Sequence, residues 1–195
     1  MRLIDVFNKY GTDKGINGYT DAYESLFKRI RNEVKNVLEV GIGTVIPDVK
    51  WSMRVEGSRV PAHYLPGGSL RAWRDYFPSA KIYGVDIQPD TVLAEDRIVT
   101  AICDSLDVKS VTDVVGKWGV RFDVIIDDGN HYGESQLQTL KNLWKYLNDG
   151  GYYIIEDVMP GSPLLLGLRS ELKKVVGDSS MFVTENKVFV VISKP

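Results

Sequence analysis

Two short acidic runs carry the densest chemistry in this sequence, Asp127-Asp128-Gly129-Asn130-His131 and Glu156-Asp157. Each follows an apolar block of strand length, Phe122 to Ile126 and Tyr152 to Ile155. Neighbouring strands would bring both runs to one rim, where four carboxylates repel one another unless a cation offsets them. All-oxygen ligation by acidic residues suits a hard divalent ion such as Mg²⁺ or Mn²⁺. His131, three residues beyond Asp128, adds a group that can take a proton near neutral pH. The competing reading is turn chemistry, with Asp-Gly-Asn simply making a bend. His63, alone in an irregular stretch, reads as surface.

A second group sits at the ends of earlier strands. Glu39-Val40-Gly41-Ile42-Gly43 follows the first firm strand, and glycines there let backbone approach a ligand closely. The third glycine of a dinucleotide fingerprint is replaced by Ile46, so NAD chemistry ranks last. Asp86, ending the next strand, can accept both hydroxyl hydrogens of a ribose. Asp104 can accept from an exocyclic amine such as that of adenine. Any one of these is an ordinary turn residue. Glu39, Asp86 and Asp104 closing three successive strands are harder to dismiss.

The elements that must position these residues are legible as alternating strand-length blocks and helical stripes, the layout of a doubly wound α/β domain. Strands are expected at Val37 to Val40, Ile82 to Val85, Ile98 to Ile102, Phe122 to Ile126 and Tyr152 to Ile155. Their unbroken apolar character fits strands covered on both faces. Helices are expected over Ser69 to Tyr76, over Val108 to Trp118, and after Gly133, where Leu137, Leu140, Trp144 and Leu147 form one stripe that ends before Asp149-Gly150-Gly151. Met181 to Thr184 and Lys187 to Ile192, separated by two residues, require an antiparallel hairpin. Thr44 to Gly68 reads as an insertion over the substrate, with Trp51 and Tyr64 either stacking on it or packing the loop.

At 195 residues the chain suits a single domain over 1–195, with the insertion at about 44–68. Its 24 basic and 26 acidic side chains leave a charge of −2, which gives no general attraction to nucleic acid. No membrane span or signal-peptide core is visible, and one cysteine, Cys103, makes neither a disulfide nor a thiolate cluster. A cytoplasmic protein is the expectation. Oligomeric state stays open, a homo-oligomer included.

The motifs resemble those of the metal-dependent class I S-adenosylmethionine (SAM) methyltransferases that methylate sugar hydroxyls in macrolide and glycan biosynthesis. Four blocks carry the resemblance across residues 11 to 157. They are Gly11-Thr12-Asp13-Lys14 with Tyr19 and Tyr23; Val37 to Gly43; Gly67 to Pro78 leading to Asp86; and Asp127 to His131 with Ile154 to Asp157. The resemblance implies a Rossmann-like seven-stranded sheet with its last strand antiparallel. It implies that Asp128, Glu156 and Asp157 hold the metal and that His131 is the general base. It also implies that Glu39, Gly41, Gly43, Ser69, Asp86, Ile87 and Asp104 line the SAM site.

The reaction so implied is methyl transfer from SAM to a hydroxyl of a carbohydrate or glycosylated small molecule. Such a hydroxyl is a poor nucleophile until a cation and a base assist it. Two alternatives differ in class. One is a metal-dependent methyltransferase of a non-sugar hydroxyl such as a catechol. The other is a SAM-binding module without catalysis, which would need neither His131 nor the acidic runs.

Overall fold

The computed structural model describes residues 1–54, 60–158, 171, 173–183 and 190–195. Residues 55–59 of the insertion, the segment from 159 to 170, residue 172, and residues 184–189, which hold the expected two-residue hairpin loop at 185–186 and the strand residues flanking it, lie outside the described residues. The sheet is built from β1 (Asn36–Val40), β2 (Lys81–Asp86), β3 (Ala94–Glu95), β4 (Ile98–Ile102), β5 (Phe122–Asp127), β6 (Leu147–Ile155), β7 (Ser180–Val183) and β8 (Val190–Ser193). Their spatial order is β3-β4-β2-β1-β5-β6-β8-β7. β4, β2, β1, β5 and β6 run parallel, whereas β8 inserts antiparallel between β6 and β7. Setting aside the two-residue edge strand β3, this is the seven-stranded sheet with an antiparallel last strand.

The apolar strands are continuous because the sheet has a core on each face. Val37, Ile82, Val124, Ile126 and Ile154 point to one, and Leu38, Val40, Val85, Ile125 and Ile155 to the other. The first core is closed by three helices, α1 (Leu3–Tyr10), α2 (Thr20–Phe27) and α3 (Gly68–Tyr76). α1 buries Leu3, Val6 and Phe7, and α2 buries Thr20, Tyr23 and Phe27, both stripes at helical spacing. Their rings pack on Trp73 of α3, with Phe7 at 5.0 Å and Tyr23 at 4.9 Å between ring centroids. The second core is covered by α4 (Val108–Val114) and α5 (Gly133–Leu143).

Two local expectations are revised. Asp149-Gly150-Gly151 lies inside β6, after the helix has already ended. There Gly150 N–H donates to Lys194 O and Lys194 N–H to Gly151 O, so the pair belongs to an irregular β5–β6–β8 edge. The N-terminal 27 residues, without an assigned element in the sequence reading, form two helices. No helix among the described residues is long and apolar enough to cross a membrane.

Candidate active site

Strand register assembles the site. Val40 lies opposite both Val85 and Asp127, and Asp127 lies opposite Ile155. The residues one step further on, Asp86, Gly41, Asp128 and Glu156, therefore leave the sheet side by side at its carboxyl edge. Backbone bonds tie the tips together: Gly41 N–H to Val85 O, Asp128 N–H to Val40 O and Glu156 N–H to Asp127 O, each 2.9 Å. Gly41 has φ +86°, and a Cβ there would stand 2.1 Å from Asp128 O, so only glycine lets β1 and β5 meet this closely. Chain order reverses between β1 and β5, and ligands of open α/β sheets bind at such a switch point. A cleft of about 290 Å³ opens there.

One half of the cleft is lined by Glu39, Gly41, Gly43, Ser69, Asp86, Ile87 and Asp104. Asp86 accepts Ile42 N–H on one oxygen at 2.8 Å and Gln88 N–H on the other at 2.9 Å. Each carboxylate oxygen keeps a second acceptor direction for a ligand hydroxyl. Asp104 Oδ1 accepts Leu106 N–H at 2.9 Å. Glu39 is fully buried, with Trp73 Nε1 donating to Oε2 at 2.6 Å, while its Oε1 has no hydrogen-bond partner. Burial raises its carboxyl above the ordinary range, and the nearby Lys14 ammonium does not cancel the effect. A buried acceptor bordering the cleft suits a cationic ligand group, such as the ammonium of SAM.

The other half is acidic. Asp128 Oδ1 stands 3.4 Å from His131 Nε2, which is 3.7 Å from Asp157 Oδ2. One ligand atom from each of these three residues falls within 4.8 Å of the others. Glu156 turns inward, where its carboxylate accepts from Lys14 Nζ at 2.7 Å and from the Tyr23 hydroxyl. Lys14 Nζ also donates to Asp128 Oδ2 at 2.5 Å, and the Tyr19 hydroxyl donates to Asp157 Oδ1. Asp157 is held at φ +51°, a strained value for a non-glycine residue and of a kind that clusters at functional sites. Asp128, Glu156 and Glu39 face one buried ammonium and Asp157 adds a fourth carboxylate beside His131, a cluster of acidic oxygens that fits a hard divalent cation.

The electrostatics follow from these contacts. Burial raises the Asp128 carboxyl, but Lys14 and His131 outweigh it and hold it below the ordinary range. Burial pulls the His131 imidazole down, whereas Asp128 and Asp157 push it up and prevail. Asp127 is a correction to the expected rim of four. Successive strand residues face opposite sides, and Asp127 is buried outside the cleft, its Oδ1 accepting Gly129 N–H at 3.3 Å. Burial, helped by the charge of Asp128, pushes its carboxyl up to about 7. The native state then keeps a proton that the unfolded chain releases near pH 4, so Asp127 costs stability as pH rises from about 4 to 7. Asp127→Asn removes that cost and keeps the acceptor for Gly129. Melting in EDTA should show little gain at pH 3 and a gain on the order of 2–4 kcal/mol at pH 8. A gain independent of pH would exclude Asp127 as the titrating group.

Three contributors escaped sequence reasoning. Lys14, Tyr19 and Tyr23 stood in a recognised block without assigned roles, because a lysine ordinarily points to solvent and nothing local signals its burial. Trp51 was left between stacking and packing. It is half exposed, its ring centroid 5.4 Å from that of His131, with Lys50 over both Trp51 and Tyr132. Tyr64 is buried instead, its hydroxyl 3.4 Å from Ile42 O. His63 is exposed and does not line the cleft.

No protein-family model matches the chain. Among curated proteins it is 36% identical over 151 residues to 8-demethyl-8-alpha-L-rhamnosyl tetracenomycin-C 2'-O-methyltransferase of Streptomyces olivaceus, a match covering 77% of this chain and 36% of that protein. It is 33% identical over 158 residues to demethylmacrocin O-methyltransferase of Streptomyces fradiae, covering 80% and 36%. The chain thus matches about a third of the length of these relatives. Among solved structures, the MycE methyltransferase of the mycinamycin biosynthetic pathway in complex with Mg, SAH and mycinamycin VI superposes with a TM-score of 0.77 at 26% identity. That match covers 100% of this chain and 53% of MycE. The chain is therefore homologous to the sugar O-methyltransferases of macrolide and tetracenomycin pathways, and its fold is that of the class I SAM methyltransferases.

Proposed function

We propose that this protein transfers a methyl group from SAM to a sugar hydroxyl of a glycosylated small molecule, with a divalent cation, Mg²⁺ or Mn²⁺, as cofactor. The observation that carries this reading is the cleft itself. A proton-accepting His131 and two carboxylates share it with the glycine loop and Asp86 at the switch point of the sheet. Similarity to enzymes named for rhamnosyl and macrolide O-methylation supports the acceptor class.

When bound, SAM supplies an electrophilic methyl group and the cation supplies charge stabilisation for an oxygen losing its proton. Asp86, Asp104, Ser69, Ile87 and the Gly41–Gly43 backbone would hold the nucleoside, and Glu39 the ammonium. Asp128 and Asp157, with Glu156 behind them, would hold the cation. His131 Nε2 takes the proton from the acceptor hydroxyl. Asp128 and Asp157, which face the same nitrogen, stabilise the imidazolium once it is protonated. The neighbouring chain excludes water and aligns the reacting groups, so no covalent nucleophile is required. Use of SAM, an intracellular metabolite, puts the reaction in the cytoplasm.

Trp51 is the acceptor platform in this proposal, because its exposed ring flanks the base. Stacking of this kind contributes roughly 0.5–1.5 kcal/mol. Trp51→Ala should raise the acceptor KM about three- to tenfold and leave SAH affinity unchanged by calorimetry. Equal KM values would make the ring a bystander. The function itself is tested with labelled SAM, Mg²⁺ and a panel of rhamnosides, other glycosides, nucleotide sugars and catechols. Transfer to glycosides supports the reading, and transfer confined to catechols replaces it with the non-sugar alternative.

A further inference from the structure

Lys14 is the fully buried residue around which the acidic half of the cleft is organised. Its exposure is 1%, in a residue type almost never fully buried unless paired. α1 ends on Gly11 at φ +66°, where Gly11 N–H donates to Asn8 O and Thr12 N–H to Phe7 O, closing the helix and turning the chain inward. The lysine stem then delivers Nζ to 2.5 Å from Asp128 Oδ2, 2.7 Å from Glu156 Oε2 and 3.6 Å from Glu39 Oε1. Two carboxylate oxygens accept hydrogen bonds from the ammonium, and Glu39 Oε1 lies within ion-pair range without one.

This arrangement divides each carboxylate. Asp128 gives Oδ2 to Lys14 and presents Oδ1 toward His131; Glu156 gives Oε2 to Lys14 and Oε1 to Tyr23. The oxygens Lys14 engages belong to the residues that would hold a cation in the proposed function. We infer that Lys14 is a built-in cation that competes with the divalent ion for Asp128 and Glu156, keeping that ion weakly held and exchangeable. The inference rests on the proposed metal-dependent reading.

Two physical effects act together. Lys14 occupies one oxygen of each shared carboxylate, and its positive charge opposes that of the incoming ion. In a partly buried site a single charge at such range changes an ion's affinity by about tenfold or more. Without any ion, Lys14 is what keeps the buried carboxylates of Glu39 and Glu156 and the half-buried one of Asp128 from repelling one another, so the site is assembled in advance. Lys14 is thus a positioning residue, acting on the cation through the ligands they share.

The test uses the full chain freed of metal by EDTA, with Mn²⁺ alone as probe and neither SAM nor acceptor present. Free Mn²⁺ is followed by electron paramagnetic resonance, and the melting temperature is read with and without Mn²⁺. Lys14→Met should melt lower than the native protein without metal, bind Mn²⁺ about tenfold more tightly or better, and gain more melting temperature from it. Lys14→Arg, which keeps the charge, should retain near-native affinity. A folded Lys14→Met that binds Mn²⁺ no better than the native protein overturns the inference. Absence of Mn²⁺ binding by native and variant proteins alike overturns the metal-dependent reading as well. A second measurement needs no variant: acetylation of Lys14 in the native protein, read by mass spectrometry, should be slow without metal and faster in saturating Mg²⁺. Reactivity that Mg²⁺ leaves unchanged or lowers contradicts competition.

Discussion

His131→Ala is expected to slow methyl transfer by about 10²–10⁴-fold, the usual contribution of a positioned general base. SAH and Mn²⁺ binding should survive, since the imidazole's proposed task is proton transfer. The variant also tests a pH dependence with a definite sign. Burial alone would lower the imidazole pKa, yet Asp128 and Asp157 raise it overall. A base works only when neutral, so native activity should fall as pH drops through this pKa. Near the cleft the imidazole meets Asp128, Asp157 and the Trp51 ring. In the alanine variant the acid limb should disappear along with most of the rate. Near-native turnover between pH 6 and 9 would place the base elsewhere.

Asp128→Asn should have a comparably large effect by a different route. One residue serves three neighbours: Oδ1 faces His131 at 3.4 Å, Oδ2 accepts from Lys14 at 2.5 Å, and the backbone N–H anchors β5 to β1. The amide preserves shape and the backbone bond but removes the charge. It also turns one acceptor into a donor that faces either His131 or the Lys14 ammonium. Divalent-ion affinity should fall by at least the 10–100-fold typical of losing a supporting ligand partner. Turnover should fall with it, while calorimetry should find SAH affinity within a factor of a few of native. A variant that loses SAH binding instead would show that Asp128 organises the whole cleft.

The sequence was most readable where local pattern and tertiary demand coincide. Continuous apolar runs such as Phe122 to Ile126 mark strands buried on both faces, and the residues that end them must emerge at one edge. Gly41 was read as a glycine that lets backbone approach a ligand, whereas the group it approaches is the backbone oxygen of Asp128 on the neighbouring strand. Asp127 and Asp128 look equivalent in sequence, and only the strand's alternation sends one into the core and the other into the cleft. Lys14, Tyr19 and Tyr23 were beyond reach for a physical reason: their partners lie 114 to 142 residues away. Their delivery depends on two eight-residue helices held chiefly by packing on Trp73. Trp51 and Tyr64 differ only in which side of one irregular loop they occupy, which residue type does not encode.

Whether His131 and the acidic cleft act with a divalent ion on an acceptor hydroxyl is decided by one titration. The initial rate of methyl transfer from labelled SAM to a rhamnosyl glycoside is measured after EDTA treatment and again as Mg²⁺ is restored. SAH binding is followed by calorimetry on the same samples. The predicted result is negligible transfer without metal, a rate that saturates with Mg²⁺, and SAH binding throughout. Full-rate transfer by metal-free protein would contradict it.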